Sequence, residues 1–542
     1  MGVNVRHIER TWPDEPTTVQ WLNSARNDLV AEREEPTPAT DSSGDLDRRV
    51  FHQAEGPFVS YERSIEVVPH GDGRIWRETV RYRLELPWFM WLFARIIRRH
   101  FRARSPGPEP LRQPIWSPPD RLTARQVHVL GLLAAASLSS AFINTLFTQT
   151  VAFASDDFGV GDWGRGVAGT VVRVGILIGL PAAFLADRIG RRRVVVTLAW
   201  AAPIIASVGA LAPNFPVLVA TQTISRPLGL ALDLLIAVIA AEEMPKSSRA
   251  YAVSILAMAN GLGAGVAVIA LPLADVGDSG WRLVYVLALV WLVVAIDLTR
   301  RLPETARYER HLDRHRNRHQ VARTRPAANF LAINTAVSAG KTTSKKRRLG
   351  IQMTVAFFGN LLLSPASFFQ NSYLKDERGF SAGTVAIFTL VTSTPAVIGL
   401  IVGGRVADRR GRRYVAASCV PLGAVLIALS FQFQAVWMWL AAIVGAIVAA
   451  AAYPSLAVYR TELFPTAQRG RAAYLILATA LLGGSLSLLL TGALLDSGLS
   501  YGTVMLALVI GPAMVSVIVL ATYPETAHRE LEELNPEDVP KN

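Results

Sequence analysis

The octapeptide Ala186-Asp187-Arg188-Ile189-Gly190-Arg191-Arg192-Arg193 recurs as Ala407-Asp408-Arg409-Arg410-Gly411-Arg412-Arg413-Tyr414, and each copy stands directly behind a long apolar segment. Two more pairs recur in the same order at nearly the same spacing. They are Glu242-x-x-Pro245-x-x-x-Arg249 with Glu462-x-x-Pro465-x-x-x-Arg469, and Leu302-Pro303-Glu304-Thr305-Ala306 with Tyr523-Pro524-Glu525-Thr526-Ala527. Three motifs in one order mean a duplicated unit, so the chain must fold into two similar halves. A helix needs about 20 apolar residues to cross about 30 Å of hydrocarbon. Twelve such stretches follow one another from Gln126 onward: 127–152, 166–186, 194–212, 216–240, 250–271, 281–299, 350–372, 382–403, 415–433, 436–459, 471–493 and 502–522. A span must satisfy its backbone hydrogen bonds internally. The expected fold is therefore an all-α integral membrane protein of twelve transmembrane helices. Residues 1–125 form a small cytoplasmic extension, 126–299 and 350–525 the two six-helix halves, 300–349 a basic cytoplasmic linker and 526–542 a cytoplasmic tail.

Charge distribution gives the orientation, because Lys and Arg beside a span favour the cytoplasmic side. The loops that carry Arg188, Arg191–Arg193, Lys246, Arg249, Arg405, Arg409, Arg410, Arg412 and Arg413 are basic, while the alternate loops carry Asp156, Asp157, Asp162, Asp275 and Asp278. Only Arg165, Arg282, Lys375 and Arg378 oppose the trend, so both termini are expected in the cytoplasm and the protein in the plasma (inner) membrane. The formal charge of +13 is mostly this bias. No nucleic acid is implied, although basic clusters of this kind favour anionic lipid. The single cysteine, Cys419, excludes a disulfide framework and a thiolate metal cluster. No cleavable signal peptide is expected, since the first hundred residues lack a suitable apolar core.

On these motifs and spans the chain resembles the major facilitator superfamily of secondary transporters, over roughly residues 125–530. The E-x-x-P-x-x-x-R loops and P-E-T ends are similar to the branch of sugar porters, organic-ion carriers and metabolite/proton symporters. The resemblance implies alternating access between the halves and no enzymatic chemistry, cofactor or metal. It also implies a cytoplasmic gating network of Asp187, Arg188, Gly190, Arg191, Glu242, Arg249 and Glu304 in the first half. In the second half that network is Asp408, Arg409, Gly411, Arg412, Glu462, Arg469 and Glu525. A carboxylate at such a place can bind Arg side chains and the positive N-terminal end of a helix. The Arg clusters alone could equally serve topology, which needs no acid. There are departures from the family pattern. Ala183 stands where Gly404 stands in the second half, and Gln222 occupies a place often held by Arg. Gly261-Leu262-Gly263-Ala264-Gly265 lacks the closing Pro of the antiporter signature.

A transport site is expected near mid-membrane between the halves, where polar side chains are expensive. The candidates are Arg173, Arg226 and Asp233, with the neutral groups Asn144, Thr148, Gln149, Asn260, Asn360, Gln370 and Asn371. Arg226 and Asp233 lie seven residues apart on one helical face, which suggests an internal ion pair. The residues leave open whether such a pair is structural or carries a coupling proton, and any one of the amides can be a helix-packing hydrogen bond.

The extension lies outside the usual fold. Its first fifty residues, with Glu32, Glu34, Glu35, Pro36 and Pro38, look disordered. Alternation over Val59–Val67 and Val80–Leu86 around His70-Gly71-Asp72-Gly73 suggests a small β-hairpin. Pro87–Arg99 has an aromatic start and an Arg-rich end suited to a helix lying in the headgroup region. In the linker, His311, His315 and His319 share a helical face with Arg314, Arg316 and Arg318 interleaved, a membrane-surface pattern rather than a metal site. The expected function is alternating-access transport of a small organic solute by a monomer, coupled to an ion and most simply to a proton. Proton-coupled efflux of amphipathic compounds and a non-transporting membrane sensor remain as alternatives.

Overall fold

The computed structural model describes residues 5–34, 48–70, 73–104, 106, 114, 116–176, 189–245, 248–304, 342–462 and 469–525, without the side chains of 241, 250, 342–345, 408, 458, 460–462, 469–471, 473 and 474. The histidines of the linker and the C-terminal tail lie outside the described residues.

The expected hairpin is present as β4 (Phe58–His70) and β5 (Gly73–Leu84), but it is the centre of something larger. With β1 (Arg6–Pro13), β2 (Ala31–Glu34) and β3 (Arg49–Glu55) it forms one antiparallel sheet of order β1-β5-β4-β3-β2. The first fifty residues are therefore not disordered over 5–34, which hold β1, the short helix α1 (Pro16–Leu22) and β2. The physical reason is that β1 completes the ladder on β5 from Arg6 opposite Tyr82 to Pro13 opposite Ile75, while Ile8, Leu22 and Val30 are buried.

A buried charge cluster ties the sheet together. Glu32 accepts from Arg63 Nε and Nη2 at 2.6–3.1 Å, from Tyr61 Oη at 2.6 Å and from the Arg26 backbone at 2.8 Å. Buried ions are tolerated when paired and hydrogen-bonded in this way. Burial alone would raise the Asp28 carboxyl, but the hydrogen bond with His100 and the charge of Arg26 outweigh it and hold it at about 2. Burial pushes the Arg104 guanidinium down to about 9.

The helix α2 (Met90–Arg102) forms where expected, and Ile97 and Phe101 pack on the sheet of the same domain. Trp91 is left 71% exposed, whereas Trp88 donates from Nε1 to Asp297 Oδ2 at 3.1 Å and so fastens the domain to the helical bundle.

The bundle begins with α3 (Ala124–Asp157), started by a capping box between Thr123 and Gln126, and continues with α4 (Asp162–Val174), α5 (Arg191–Val208), α6 (Phe215–Glu243), α7 (Arg249–Ile269), α8 (Trp281–Val286) and α9 (Leu292–Arg301). The second half holds α10 (Thr342–Asp376), α11 (Ala382–Ser393), α12 (Ala396–Arg410), α13 (Arg412–Ser430), α14 (Ala435–Glu462), α15 (Arg469–Asp496), α16 (Tyr501–Leu508) and α17 (Ile510–Thr522). Trp281–Arg301, Ala382–Ala407 and Tyr501–Thr522 each run as one span, so eleven helical segments among the described residues are long and apolar enough to cross a membrane. The second expected span is described only as far as residue 176.

Candidate functional site

At the end that bears the N-terminal domain, the described residues of each repeated motif meet partners in their own half. Gly190 and Gly411 take φ of 104° and 103°, the left-handed region that favours glycine, and each turns the chain into the next helix. Behind Gly411, the Glu525 carboxylate accepts the Arg412 N–H at 2.9 Å and the Arg413 N–H at 3.1 Å. In the first half Glu304 accepts the Arg192 N–H at 3.2 Å. The glutamates of the P-E-T ends thus cap the N-termini of α13 and α5, an electrostatic fit to the helix dipole. Arg191 pairs with Glu242 at 3.0 Å. Arg249 and Arg409 are exposed. Asp187 and Arg188, and the side chains of Asp408, Glu462 and Arg469, lie outside the described residues.

At the opposite end the two halves grip each other. The buried Arg165, at the start of α4, meets Asp376 of α10 at 2.5 Å and Asp162 at 3.0 Å, and also contacts Asp156. Lys375 of α10 reaches the same Asp156, and Tyr501 Oη donates to Asp162 at 2.8 Å. Asp275 receives the backbone N–H groups of Ala382 and Gly383 at 2.8 and 2.9 Å, which caps α11 of the other half. Below them Gly166 and Gly492 let α4 and α15 touch: a Cβ on Gly166 would stand 2.6 Å from the Leu488 carbonyl oxygen. Gln149 and Asn371 join this seal, for Asn371 Nδ2 donates to the Gln149 backbone and side-chain oxygens at 2.8 and 2.9 Å. Among the described residues the ion pairs between the halves are gathered at this far end, which they hold shut.

Between the ends lie the buried polar groups. Asp233 of α6 accepts from Asn260 Nδ2 of α7 at 3.0 Å, and from Asn144 Nδ2 and Ser137 Oγ of α3 at 3.4 Å each. Ser140, one turn along α3, donates to the Gly229 carbonyl at 2.6 Å. The ion pair expected between Asp233 and Arg226 is not formed: no cation contacts Asp233 among the described residues, and Arg226 Nε is buried without a hydrogen-bond partner. Seven residues on one face are about 10 Å apart along the axis, and helical side chains lean toward the helix N-terminus, which carries the Arg226 guanidinium away from Asp233. The charge whose field reaches Arg226 is Arg173. Arg173 crosses to the other half and hydrogen-bonds Ser364 of α10, which in turn lies 3.5 Å from Asn360 Oδ1. Gln370 turns into its own half and donates to Thr389 at 3.1 Å.

Sequence reasoning missed the far-end seal of Arg165, Lys375, Asp156, Asp162, Asp376 and Asp275, and the serines beside Asp233. A signal for the serines was available, since Ser137, Ser140 and Asn144 recur at helical spacing on one face of an otherwise apolar segment.

Two six-helix halves sealed at one end, with polar groups buried between the ends, define a membrane transporter of the alternating-access class. The family model described as sugar (and other) transporter matches residues 128–537, and the chain belongs to this family of the major facilitator superfamily. It is a multi-pass membrane transporter and not an enzyme. No curated protein matches the sequence significantly. The inward-open structure of the xylose transporter XylE from E. coli superposes with a TM-score of 0.58 at 16% identity, covering 76% of this chain and 99% of that one. An inward-facing, occupied bacterial homolog of the human lysosomal transporter Spinster gives 0.57 at 17%, covering 73% and 96%. A mutant of the nucleoside transporter NupG gives 0.59 at 14%, covering 73% and 100%.

Proposed function

We propose that this transporter carries a small organic solute bearing an anionic group together with a proton, and that Asp233 is the proton carrier. The observation that carries the reading is the company Asp233 keeps: a carboxylate at membrane depth held by Asn260, Asn144 and Ser137, all neutral donors. A charged carboxylate there is costly and a protonated one is not, so its proton can follow the access state. Arg226 and Arg173 add positive charge without a matching carboxylate in contact among the described residues, which favours a solute with a carboxylate of its own. The domain-bearing end is the cytoplasmic one, the membrane is the plasma membrane, and one chain suffices as the working unit.

The test is uptake of labelled monocarboxylates, sugars and nucleosides into proteoliposomes with and without an imposed pH gradient. A coupling of one proton to about 100 mV amounts to about 2.3 kcal/mol, or roughly fifty-fold accumulation. Asp233→Asn should lose accumulation and keep downhill exchange, while Arg226→Gln should weaken solute affinity without abolishing proton dependence. Full accumulation by a folded Asp233→Asn protein would remove Asp233 from the coupling step.

A further inference from the structure

We infer that the cavity between the N-terminal domain and the first and fifth spans is a binding site for one acyl chain of a bilayer lipid. The cavity measures about 130 Å³. A dry apolar cavity of about 150 Å³ accepts a benzene-sized group, so this one takes a segment of hydrocarbon chain. Its walls come from three separate parts of the chain: Phe93 and Ile97 of α2, Leu130 and Ala134 of α3, and Ile255 and Ala259 of α7.

Its polarity is graded along the membrane normal. The few polar groups, Asp28, Ser117, Asp120, Arg121 and Tyr251, cluster at the level where α3 and α7 begin. From Tyr251 to Leu262 the wall of α7 runs about 16 Å deeper and is apolar throughout its cavity face. A polar end at the surface and an apolar end inside the bilayer match an amphipathic chain and not a water-soluble solute.

The mouth opens sideways. Met258 and Leu262 are each 54% exposed on the outer face of α7, and Leu92 is 39% exposed above them. These surfaces continue the hydrocarbon-facing side of the bundle, so the molecules that meet the mouth are lipid tails. The partner is thereby fixed by position as well as by chemistry. Asn260 leaves α7 on another side to reach Asp233, so a chain seated here bears on the helix that carries part of the polar site. The linker before α3 is locked to the start of α7 by Ser248, which donates to Asp120 Oδ2 at 3.2 Å and accepts the Asp120 N–H at 2.9 Å.

Trp116 lines the cavity and serves as the reporter. The full-length protein is reconstituted into bilayers of phosphatidylglycerol with bromines near the head end of one acyl chain, and its fluorescence is compared with that of the Trp116→Phe protein. The difference isolates Trp116, and it should be quenched by half or more relative to unbrominated bilayers. Filling the cavity with Ala134→Leu and Ala259→Leu should abolish that quenching while the remaining tryptophans stay quenched. Ile255→Phe provides a smaller filling should the double variant not fold. An unquenched Trp116, or quenching that survives a filled cavity, overturns the site. Quenching by free brominated stearate in unbrominated bilayers, with none from the brominated phospholipid, overturns the lipid as occupant.

Discussion

Replacing Glu525 by alanine should destabilise the second half by about 2 kcal/mol without biasing the access equilibrium. Its two carboxylate oxygens accept two of the first N–H groups of α13, Arg412 at 2.9 Å and Arg413 at 3.1 Å. Loss of a capping acceptor costs about 0.5–2 kcal/mol. The charge at the positive end of the helix adds about 0.3–1 kcal/mol. Because Glu525, Arg412 and Arg413 all belong to the second half, rocking of one half against the other leaves these bonds in place, and the loss falls equally on both access states. For a unit of about 150–250 residues each kcal/mol moves the melting temperature by about 2–4 °C, so the expected drop is about 4–8 °C. Glu525→Gln keeps one acceptor and loses the charge, and should fall about half as far.

The assay is thermal unfolding of the purified protein in detergent, paired with transport per folded molecule in proteoliposomes. An unchanged melting temperature would refute the capping argument. An unchanged melting temperature with a shifted ratio of access states would show that Glu525 acts between the halves instead, as the resemblance to the family first suggested.

Gly411→Ala should cost about 1–3 kcal/mol, because φ is 103° and the new Cβ would lie 2.6 Å from Glu525 Oε2. Combined with Glu525→Ala it should cost less than the sum, since the clash goes and the strain stays; an additive double-mutant cycle in melting experiments would contradict this. Arg165→Gln leaves Asp162 and Asp376 without their cation at the far end, and should raise thiol labelling of a cysteine placed between the halves, in a Cys419→Ser background, at least tenfold from the far side. Asp28 has its carboxyl lowered from 3.8 to about 2, so it stabilises the N-terminal domain on the order of 2 kcal/mol above pH 4, and this is lost as pH falls through 2. Asp28→Asn should remove that acid dependence, read from the buried tyrosines of the domain by near-UV circular dichroism.

The spans and the two-half fold were legible because each rests on a physical requirement that the sequence must meet locally: apolar length for a span and recurrence for a duplicated half. Contacts between distant segments were not. Helical periodicity places Arg226 and Asp233 on one face but says nothing of side-chain lean, so the proposed pair failed. The cations Arg165 and Lys375 looked like noise against the orientation bias, whereas they belong to one ion network that joins Asp156 and Asp162 beside Arg165 to Asp376 beside Lys375. In the N-terminal domain β4 and β5 were visible through alternation. Of the rest of the sheet, β2 was disguised because its inward position is Glu32, which reads as a surface residue until its partner Arg63 is known.

The duplication makes the backbone halves equivalent, yet the ionisable chemistry is confined to one of them. At the spacing of the repeat, Asp233 falls opposite Tyr453-Pro454, Arg226 opposite Ala446-Ile447 and Asn260 opposite Ala480-Leu481. The half that holds the charges is also the one to which the N-terminal domain is bound, through Trp88 to Asp297 and Asp120 to Ser248. Opening the far end leaves the Asp233 cluster whole, since Ser137, Asn144 and Asn260 move with it. It breaks the bonds that bridge the halves: Arg165 to Asp376, Asn371 to Gln149 and Arg173 to Ser364. Stranding a buried ion costs about 3–5 kcal/mol. On the proposed function, solute binding near Arg173 and Arg226, proton binding at Asp233 and closure of the domain-bearing end would together offset that cost. Closure is where the acids of the repeated motif, Asp187 and Asp408, would act. A solute that bridges Arg226 in one half and the Ser364–Asn360 face of the other would couple its own binding to the rocking motion.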